Sequence, residues 1–465
     1  MKLKSLFLGS VAAAGLSTAG FAADLGVLTS LDVCDALGLS GLTISSDTNC
    51  LQISGKVDYR LRYGDYRAGL VAASTFDGDV DPIGPDENAF GDELDWDSRV
   101  RAYLTVVGTA DTDFGPASAI ITLRQVDEWR VRNEGPAVEG GDHTDGVHVQ
   151  EAYVRVGDAT VLMAGKRKVG KDGSIANIDD DQPYSFLFMS DKIDGGGVLI
   201  DADDRRFGGH AIQIVSDLGN GVSVGLGLEN IDTQDGSVEN QDLDFVRLGE
   251  AGTLIGVVSY AGETVSAHLT GIAYGVLDGD VDSFAVHAGA TGTFDIFKVR
   301  AAIGYDDDFK YLGYSLLHAL VSAEATFDMF TVALSGEVAN FDDQTDYTIG
   351  GKIGATVVDG VSINLDAAWF RDDVNVYTGG ETDTVRIRLG AEAAVTETIT
   401  LTAGIGTYFG DGVMGNGGTD IDENLIFGDV GVAWAPGGGF TSAAKLEFND
   451  EGGYRGEFTA AKSFE

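Results

Sequence analysis

The sequence is poor in several residue types, and each shortage excludes a class of protein. Basic residues are scarce, since 30 Lys and Arg stand against 74 Asp and Glu and give a net charge of −44. Nucleic-acid binding needs a basic surface that displaces counterions, so that class is excluded. The 2 cysteines are too few for a small disulfide-stapled scaffold. After the N-terminal stretch there is no uninterrupted apolar run of about 18 residues, so no transmembrane helix is predicted.

Motifs for catalysis and metal binding are also sparse. The 6 histidines are scattered, and none begins an H-E-x-x-H zinc motif. The acidic stretch DGDVD occurs at 77–81 and at 278–282, yet neither copy continues as an EF-hand loop. We therefore predict no enzyme activity, no dedicated metal site and no cofactor. Adventitious Ca²⁺ or Mg²⁺ binding on the acidic loops stays open.

The first 22 residues are organised as a secretory signal peptide. Lys2 and Lys4 precede the apolar stretch LFLGSVAAAGL, and small residues lead to a cleavage site after Ala22. We expect the mature chain, 23–465, to reach an oxidising compartment. There Cys34 and Cys50 are expected to form a disulfide that pins the segment 23–50 before the first strand.

The stretch NCLQISGKVDYRLRYG, residues 49–64, has two different faces. Successive side chains of a strand point to opposite faces, so Val57 and Leu61 share one row while Lys56, Arg60 and Arg62 share the other. In a soluble sandwich the apolar row is buried. In an outer-membrane barrel the apolar row meets lipid and the charged row lines an aqueous lumen. The local pattern is identical in both cases.

The rest of the chain favours the barrel. Strand-like segments of about ten residues recur to the last residues, for example in 94–108, 330–341 and 384–395. Short turns alternate with long acidic loops such as 64–93 and 411–423, as in barrels with tight turns at one end and long loops at the other. No Pro/Ser-rich linker divides the chain. We predict an all-β fold, a transmembrane antiparallel β-barrel in one domain over 23–465.

The N-terminus resembles that of the alphaproteobacterial general porins. The resemblance lies in MKLKSLFLGSVAAA, in Cys34-Asp35-Ala36, and in Cys50-Leu51 running into ISGKVDYR. It implies a homotrimer of sixteen-stranded barrels, surrounded by outer-membrane lipid and lipopolysaccharide and inserted by the barrel assembly machinery. It also implies passive diffusion of small hydrophilic solutes through a pore narrowed by an infolded third loop. We count eighteen or more strand-like segments, so eighteen strands is the alternative to sixteen.

The candidate site is a narrow, wet passage. Residues from about 169 to 207 follow the fifth strand-like segment, break its alternation, and are predicted to form the constriction loop. Acids on this loop facing bases on the wall would create a transverse field that sets ion selectivity. The predicted constriction-loop acids are Asp179, Asp180, Asp181, Asp191 and Asp194, and the predicted pore-lining bases are Lys56, Arg60, Arg62, Arg99, Arg101, Arg124 and Arg155.

These observations predict an outer-membrane porin that forms a water-filled channel. The alternative is a secreted or surface-attached acidic β-rich protein with a structural or adhesive role and no pore. The net charge favours cations at the mouth, whereas the arginine row favours anions at the constriction. We expect a preference for cations overall.

Overall fold

The chain forms one antiparallel sheet that closes on itself. The computed structural model describes residues 32–46, 48–64, 70–71, 96–129, 146–176, 206–232, 251–277, 279–308, 313–342, 344–373, 380–411, 413–414, 424–450 and 454–465. The predicted signal peptide lies outside these residues. Within the described residues, no helix is long and apolar enough to cross a membrane.

The first half of the chain contributes a short helix and the strands up to β11. Successive strands of the large sheet pair with each other in an antiparallel way. A single 3₁₀ turn, Lys171–Gly173, follows β7. The elements are α1 Asp32–Ala36, β1 Thr43–Ser45, β2 Asn49–Tyr63, β3 Leu70–Val71, β4 Trp96–Ala110, β5 Ala117–Trp129, β6 His148–Gly157, β7 Thr160–Lys166, β8 His210–Gly219, β9 Val222–Glu229, β10 Thr253–Ala261 and β11 Val265–Tyr274.

The second half continues the same meander. Strands β3 and β20 pair only with each other and join two of the long connections. The remaining strands are β12 Ser283–Phe294, β13 Phe297–Asp306, β14 Leu316–Phe327, β15 Phe330–Phe341, β16 Gln344–Val358, β17 Val361–Asp372, β18 Thr382–Thr396, β19 Ile399–Gly410, β20 Val413–Met414, β21 Asn424–Gly437, β22 Phe440–Asn449 and β23 Tyr454–Phe464.

The barrel closes where β2 pairs with both β4 and β23. Lys56 lies opposite Ser463 on one side and opposite Tyr103 on the other. The predicted transmembrane antiparallel barrel is therefore confirmed. The predicted strand number is wrong: in the described part of the chain the barrel has twenty strands, and β1 adds to the sheet at the edge of β2.

Strand β10 explains part of the undercount. Its sequence, TLIGVVSYA, reads as a nearly continuous apolar run and not as an alternation. The reason is that both faces of β10 meet apolar surroundings. Leu254 and Val258 are exposed on the outside, whereas Ile255 is fully buried inside the barrel. The sixteen-strand number came from the family resemblance and had no support in this chain's own segments.

The apolar row of each strand lies on the outer face. Val57 and Leu61 are exposed on β2, and on the far side of the barrel Leu334 and Ile349 are 64% and 60% exposed. Strand parity then places Lys56 and its row on the inner face. An exposed apolar band around a closed sheet is the surface that a barrel presents to lipid.

Aromatic side chains mark both edges of this band. At the end with long connections, Tyr63 and Tyr454 pack with ring centroids 6.3 Å apart. At the end with tight turns, Trp434 and Phe440 pack at 5.6 Å. Two such girdles are typical of outer-membrane barrels, where aromatic rings sit at the lipid headgroups. Phe370, near the end of β17, is instead buried inside the barrel.

The N-terminal segment is fixed to β2. Cys34 and Cys50 form the predicted disulfide, with their Cα atoms 5.0 Å apart. Ile44 of β1 lies opposite Leu51, so β1 continues the edge along which β23 pairs with the later part of β2. The disulfide prediction is confirmed, and the bridge lies at the tight-turn end of the barrel.

Candidate functional site: the barrel lumen

A basic wall lines the lumen over the first barrel strands. Arg60 lies directly opposite Arg99, and Asp58 lies opposite Arg101. Directly paired residues of neighbouring strands share a face, so the basic side chains of these strands line up on the inner face. The structure places all of the predicted basic residues there: Lys56, Arg60, Arg62, Arg99, Arg101, Arg124 and Arg155.

Carboxylates and aromatic rings hold parts of this wall in place. The Arg101 Nε donates to Asp58 Oδ1 at 2.8 Å, and Lys56 Nζ lies 3.8 Å from Asp58 Oδ2. Arg124 lies over the ring of Tyr103, with its Cζ 5.9 Å from the ring centroid. Asp58 was missed by sequence reasoning, although its place in the inner row of β2 could have identified it.

Arg167 extends the basic wall beyond β7. Its Cζ lies 4.2 Å from the centroid of the Tyr153 ring, and its Nη1 lies 3.5 Å from Glu151 Oε1. Stacking on an aromatic ring and pairing with one carboxylate keep a guanidinium flat against the wall.

The constriction-loop acids, Asp179, Asp180, Asp181, Asp191 and Asp194, lie outside the described residues.

On the last strands, basic side chains of the inner face form ion pairs with neighbouring carboxylates. Arg386 Nη1 lies 3.1 Å from Asp366 Oδ1, and Arg388 Nη2 lies 2.7 Å from Asp429 Oδ1. Glu447 pairs with two basic residues. Its Oε1 lies 2.7 Å from Lys445 Nζ, and its Oε2 lies 2.5 Å from Arg455 Nη2. Here basic and acidic residues alternate around the lumen. The alternation of Arg386 and Arg388 with Val385 and Ile387 is visible in the sequence, so these two arginines could have been predicted to line the lumen.

Two glycines of β19 leave room for side chains of the neighbouring strands, Gly404 for Arg388 and Gly406 for Phe427. A Cβ added at Gly404 would lie 2.2 Å from Arg388 Nη2 and 2.6 Å from Asp429 Oδ1. At Gly406 it would lie 2.4 Å from Cζ of Phe427. The absence of side chains on this inner row therefore lets the Arg388–Asp429 ion pair lie flat across β19.

Part of the lumen is filled by packed apolar side chains. The structure describes the two ends of the segment between β7 and β8, namely 167–176, the outgoing limb, and 206–209, the returning limb, and both ends lie inside the barrel. Ala176 and Phe207 from these limbs are buried with inner-wall residues of β10 to β15, among them Ile255, Tyr274 and Leu320. The two described limbs thus lie inside the barrel and pack against its wall. Strands β13 to β16 lie across the barrel from the basic wall.

The two limbs are joined to each other and to the wall. Arg167 N donates to Gly209 O at 2.7 Å, and Gly170 N donates to Phe207 O at 3.0 Å. On the returning limb, Arg206 Nη2 lies 2.9 Å from Asp306 Oδ2. Both side chains are almost fully buried, so each charge needs the other.

Three histidines are buried on the inner wall, one each on β11, β12 and β14. His268 Nε2 lies 2.8 Å from His287 Nδ1, and the two rings are stacked. His318 Nε2 lies 2.6 Å from Glu337 Oε1, with both side chains fully buried. These three histidines are therefore wall residues that pair with neighbouring strands. Within the described residues, no group of three or more His, Cys, Asp or Glu could hold a metal ion.

One sequence pattern of hydrolases occurs, but its geometry differs from theirs. Gly221-Val222-Ser223-Val224-Gly225 matches G-x-S-x-G, which in those enzymes forms a sharp turn between a strand and a helix. Here the pattern runs from a tight turn into β9. Ser223 Oγ lies 2.6 Å from Ser259 Oγ on the neighbouring strand. Ser223 is therefore a wall residue in a hydroxyl pair.

The comparison with known proteins agrees with this geometry. No family model matches the chain. The porin Omp2a of Brucella ovis is 28% identical over 272 residues, which cover 56% of this chain and 67% of that protein. The porin Omp2b of Brucella abortus (strain 2308) is 28% identical over 273 residues, covering 56% and 63%. This chain resembles the alphaproteobacterial porins.

The match to these porins covers about two thirds of their length. Among solved structures, a mutant of Rhodopseudomonas blastica porin is 14% identical, with a TM-score of 0.40 over 89% of this chain and all of the other. A porin structure refined at 1.8 Å is 11% identical, with a TM-score of 0.36.

Proposed function

We propose that this chain is an outer-membrane porin, a water-filled channel for passive diffusion of small hydrophilic solutes and ions. The observation that carries the proposal is the closed barrel with an apolar outer face and a charged inner face. Several inner charges keep contact with water, since the side chains of Lys56 and Lys445 are 51% and 48% exposed. A solvated, charged interior inside an apolar band is the design of a diffusion pore.

The outer face gives no support to a secreted soluble protein. Soluble proteins rarely expose a continuous apolar band, because water makes such a surface costly. Here the outer rows of neighbouring strands carry exposed Val321, Leu334 and Ile349 side by side. Such a barrel is stable in lipid or detergent.

The proposal includes three finer points. The channel is a homotrimer inserted by the barrel assembly machinery among outer-membrane lipid and lipopolysaccharide, as the resemblance to porins implies. It catalyses no reaction and uses no cofactor. The loop acids predicted between 169 and 207 face the basic wall across the constriction. Support for the last point is the infolding of the two limbs at 167–176 and 206–209.

The test is single-channel conductance in a planar bilayer. The protein is extracted in detergent and shown to be folded by its shift in electrophoretic mobility on heating; the same preparation after boiling is the control. We expect conductance steps in groups of three from the folded protein and no steps from the boiled one. Folded, heat-modifiable protein without any conductance would overturn the proposal.

A further inference from the structure

Both limbs of the infolded segment converge on one buried carboxylate. Glu229 is the last residue of β9 and faces the lumen side of the wall, yet it is fully buried. Its Oε1 accepts a hydrogen bond from Ile175 N of the outgoing limb at 3.0 Å. Its Oε2 accepts one from Gly208 N of the returning limb at 2.9 Å. One side chain therefore joins the two limbs to each other and to the barrel.

A neighbouring glutamine adds hydrogen bonds both to Glu229 and to the outgoing limb. Gln213 Nε2 on the adjacent strand donates to Glu229 Oε1 at 2.8 Å and to Gly173 O of the outgoing limb at 2.8 Å. A buried carboxylate is costly unless donors surround it, and hydrogen bonds to a charged acceptor are stronger than neutral ones. Ile175 and Gly208 of the two limbs supply two of the three donors, so the limbs and the carboxylate stabilise each other.

The wall is shaped to receive the outgoing limb. Ile175 lies over two inner-face glycines of β9: a Cβ at Gly227 would be 3.0 Å from Ile175 Cδ1, and a Cβ at Gly225 would be 3.3 Å from it. The returning limb fits as tightly, because a Cβ at Gly208 would lie 1.9 Å from Lys168 O. The inner face of β9 is therefore shaped to fit the outgoing limb, and the two limbs pack closely against each other.

We infer that Glu229 is the positioning residue that fixes the two limbs, 167–176 and 206–209, to the inner wall of the barrel and so sets the size limit of the channel. This inference rests on the proposed porin function. Glu229 does not itself line the pore, because it is buried. It acts through the limbs: without it, Ile175 N and Gly208 N lose their common acceptor, and the limbs are no longer fixed to the wall.

The test compares Glu229→Gln and Glu229→Ala with Glu337→Gln. Glutamine keeps the shape of the side chain but turns one acceptor into a donor, so only one limb remains bound; alanine releases both. Glu337 is a matched control, since it is a buried lumen-side acid whose hydrogen bond goes to His318 and not to a limb. Heat-modifiability checks folding, and if the alanine variant does not fold, the glutamine variant decides.

The readouts are the size limit for sugars in liposome swelling and the noise of the open-channel current. We expect the Glu229 variants to admit larger sugars and to show noisier currents, with a greater shift for alanine than for glutamine, and Glu337→Gln to match the wild type. Wild-type behaviour of both Glu229 variants would overturn the inference. A wild-type protein without swelling or conductance would instead overturn the porin function.

A cross-link tests whether the effect acts through the limb. Cysteines at Ile175 and Gly227 would be close enough to bond, because the Cβ at Gly227 would lie 3.2 Å from Ile175 Cγ1. In the Glu229→Gln background we expect the oxidised I175C/G227C pair to restore the wild-type size limit and reduction to abolish it. The wild type under the same reductant controls for the native disulfide. No restoration in the oxidised form would contradict action through the limb.

Discussion

At the scale of single residues, the lumen is shaped as much by missing side chains as by charged ones. Gly404 allows the Arg388 guanidinium to lie against β19 and reach Asp429 at 2.7 Å. On β9, Gly225 and Gly227 receive Ile175 in the same way. A glycine in a strand usually weakens it, so its use here has a positional reason.

A methyl group at Gly404 should narrow the pore. In Gly404→Ala the new Cβ would meet the Arg388 guanidinium at 2.2 Å, so the ion pair must leave the wall and move into the lumen. We expect a lower single-channel conductance with the barrel still folded. Gly354→Ala is the control, because its Cβ would face the lumen with no atom closer than 3.8 Å. Equal conductance of the two variants would contradict this prediction.

Neutralising arginines of the basic wall should favour cations. Arg124 and Arg155 both lie on the inner face, on neighbouring strands. A unit charge acts on an ion about 8 Å away in water with roughly 0.5 kcal/mol, which changes the ion's local concentration about twofold. In Arg124→Gln and Arg155→Gln we therefore expect the cation-to-anion permeability ratio to rise about twofold for each substitution.

Reversal potentials under a salt gradient measure this ratio. Lys462→Gln is a suitable control because Lys462 belongs to the outer row of β23 and its Nζ donates to Gly438 O. This control also removes one positive charge, but from the outer face of the barrel. A shift as large in the control as in the arginine variants would show that the inner position of the arginines has no special effect.

At the scale of elements, the barrel depends on tight turns and on the N-terminal bridge. The turn between β14 and β15 has Phe327 opposite Phe330, which leaves Asp328 and Met329 to reverse the chain. Asp328 has φ of 53°, in the left-handed region. Aspartate tolerates this region better than β-branched residues do, which explains an acid at this position.

A β-branched residue should therefore be costly at position 328. We expect Asp328→Val to destabilise the barrel by about 1–2 kcal/mol, the cost of a left-handed conformation, and Asp328→Gly to be nearly neutral. The check is the temperature at which the folded electrophoretic band disappears. Met329→Val is the control at the same turn, since Met329 is not among the described residues with positive φ.

The disulfide should stabilise the N-terminal segment without affecting conduction. Cys34 and Cys50 are 16 residues apart, and closing a loop of this size contributes roughly 3 kcal/mol in the chain-entropy model. In Cys34→Ser/Cys50→Ser we expect faster proteolysis between these positions and unchanged single-channel conductance, because the bridge lies at the tight-turn end beside β2. A large loss of conductance would show that this segment shapes the pore.

At the scale of the whole molecule, charge is distributed unevenly. The chain carries −44, yet the inner wall contains close pairs of both signs, such as Arg386 with Asp366 and Arg455 with Glu447. Much of the acidic excess lies in the long connections, for example in 64–93 and 411–423. The field at the mouth is therefore expected to be negative, while the wall offers charges of both signs.

Salt should change the selectivity of the channel. The Debye length is about 10 Å at 0.1 M and about 3 Å at 1 M salt, so acids at the mouth act on passing ions mainly in dilute salt. We expect the preference for cations to be stronger in 0.1 M than in 1 M KCl. Reversal potentials measured at both concentrations provide the check. A preference for chloride in dilute salt would contradict a dominant role of the acidic connections.

The sequence determined what depends on neighbouring residues. The two rows of residues 49–64 follow from the period of two in a strand, so Lys56, Arg60 and Arg62 were placed on one face without knowledge of the fold. The Cys34–Cys50 bridge followed from there being one pair. The meander, in which each connection links adjacent strands, followed from the sorting of loops by length.

The tertiary structure decided what depends on residues far apart in the chain. It put the charged row inside, fixed twenty barrel strands in the described part of the chain, and packed the inner face of β10 against the two limbs. It brought Glu229 to Ile175, 54 positions earlier in the chain, and to Gly208. No local pattern marks Glu229, because its role comes from two limbs that meet it only when the barrel has closed around them.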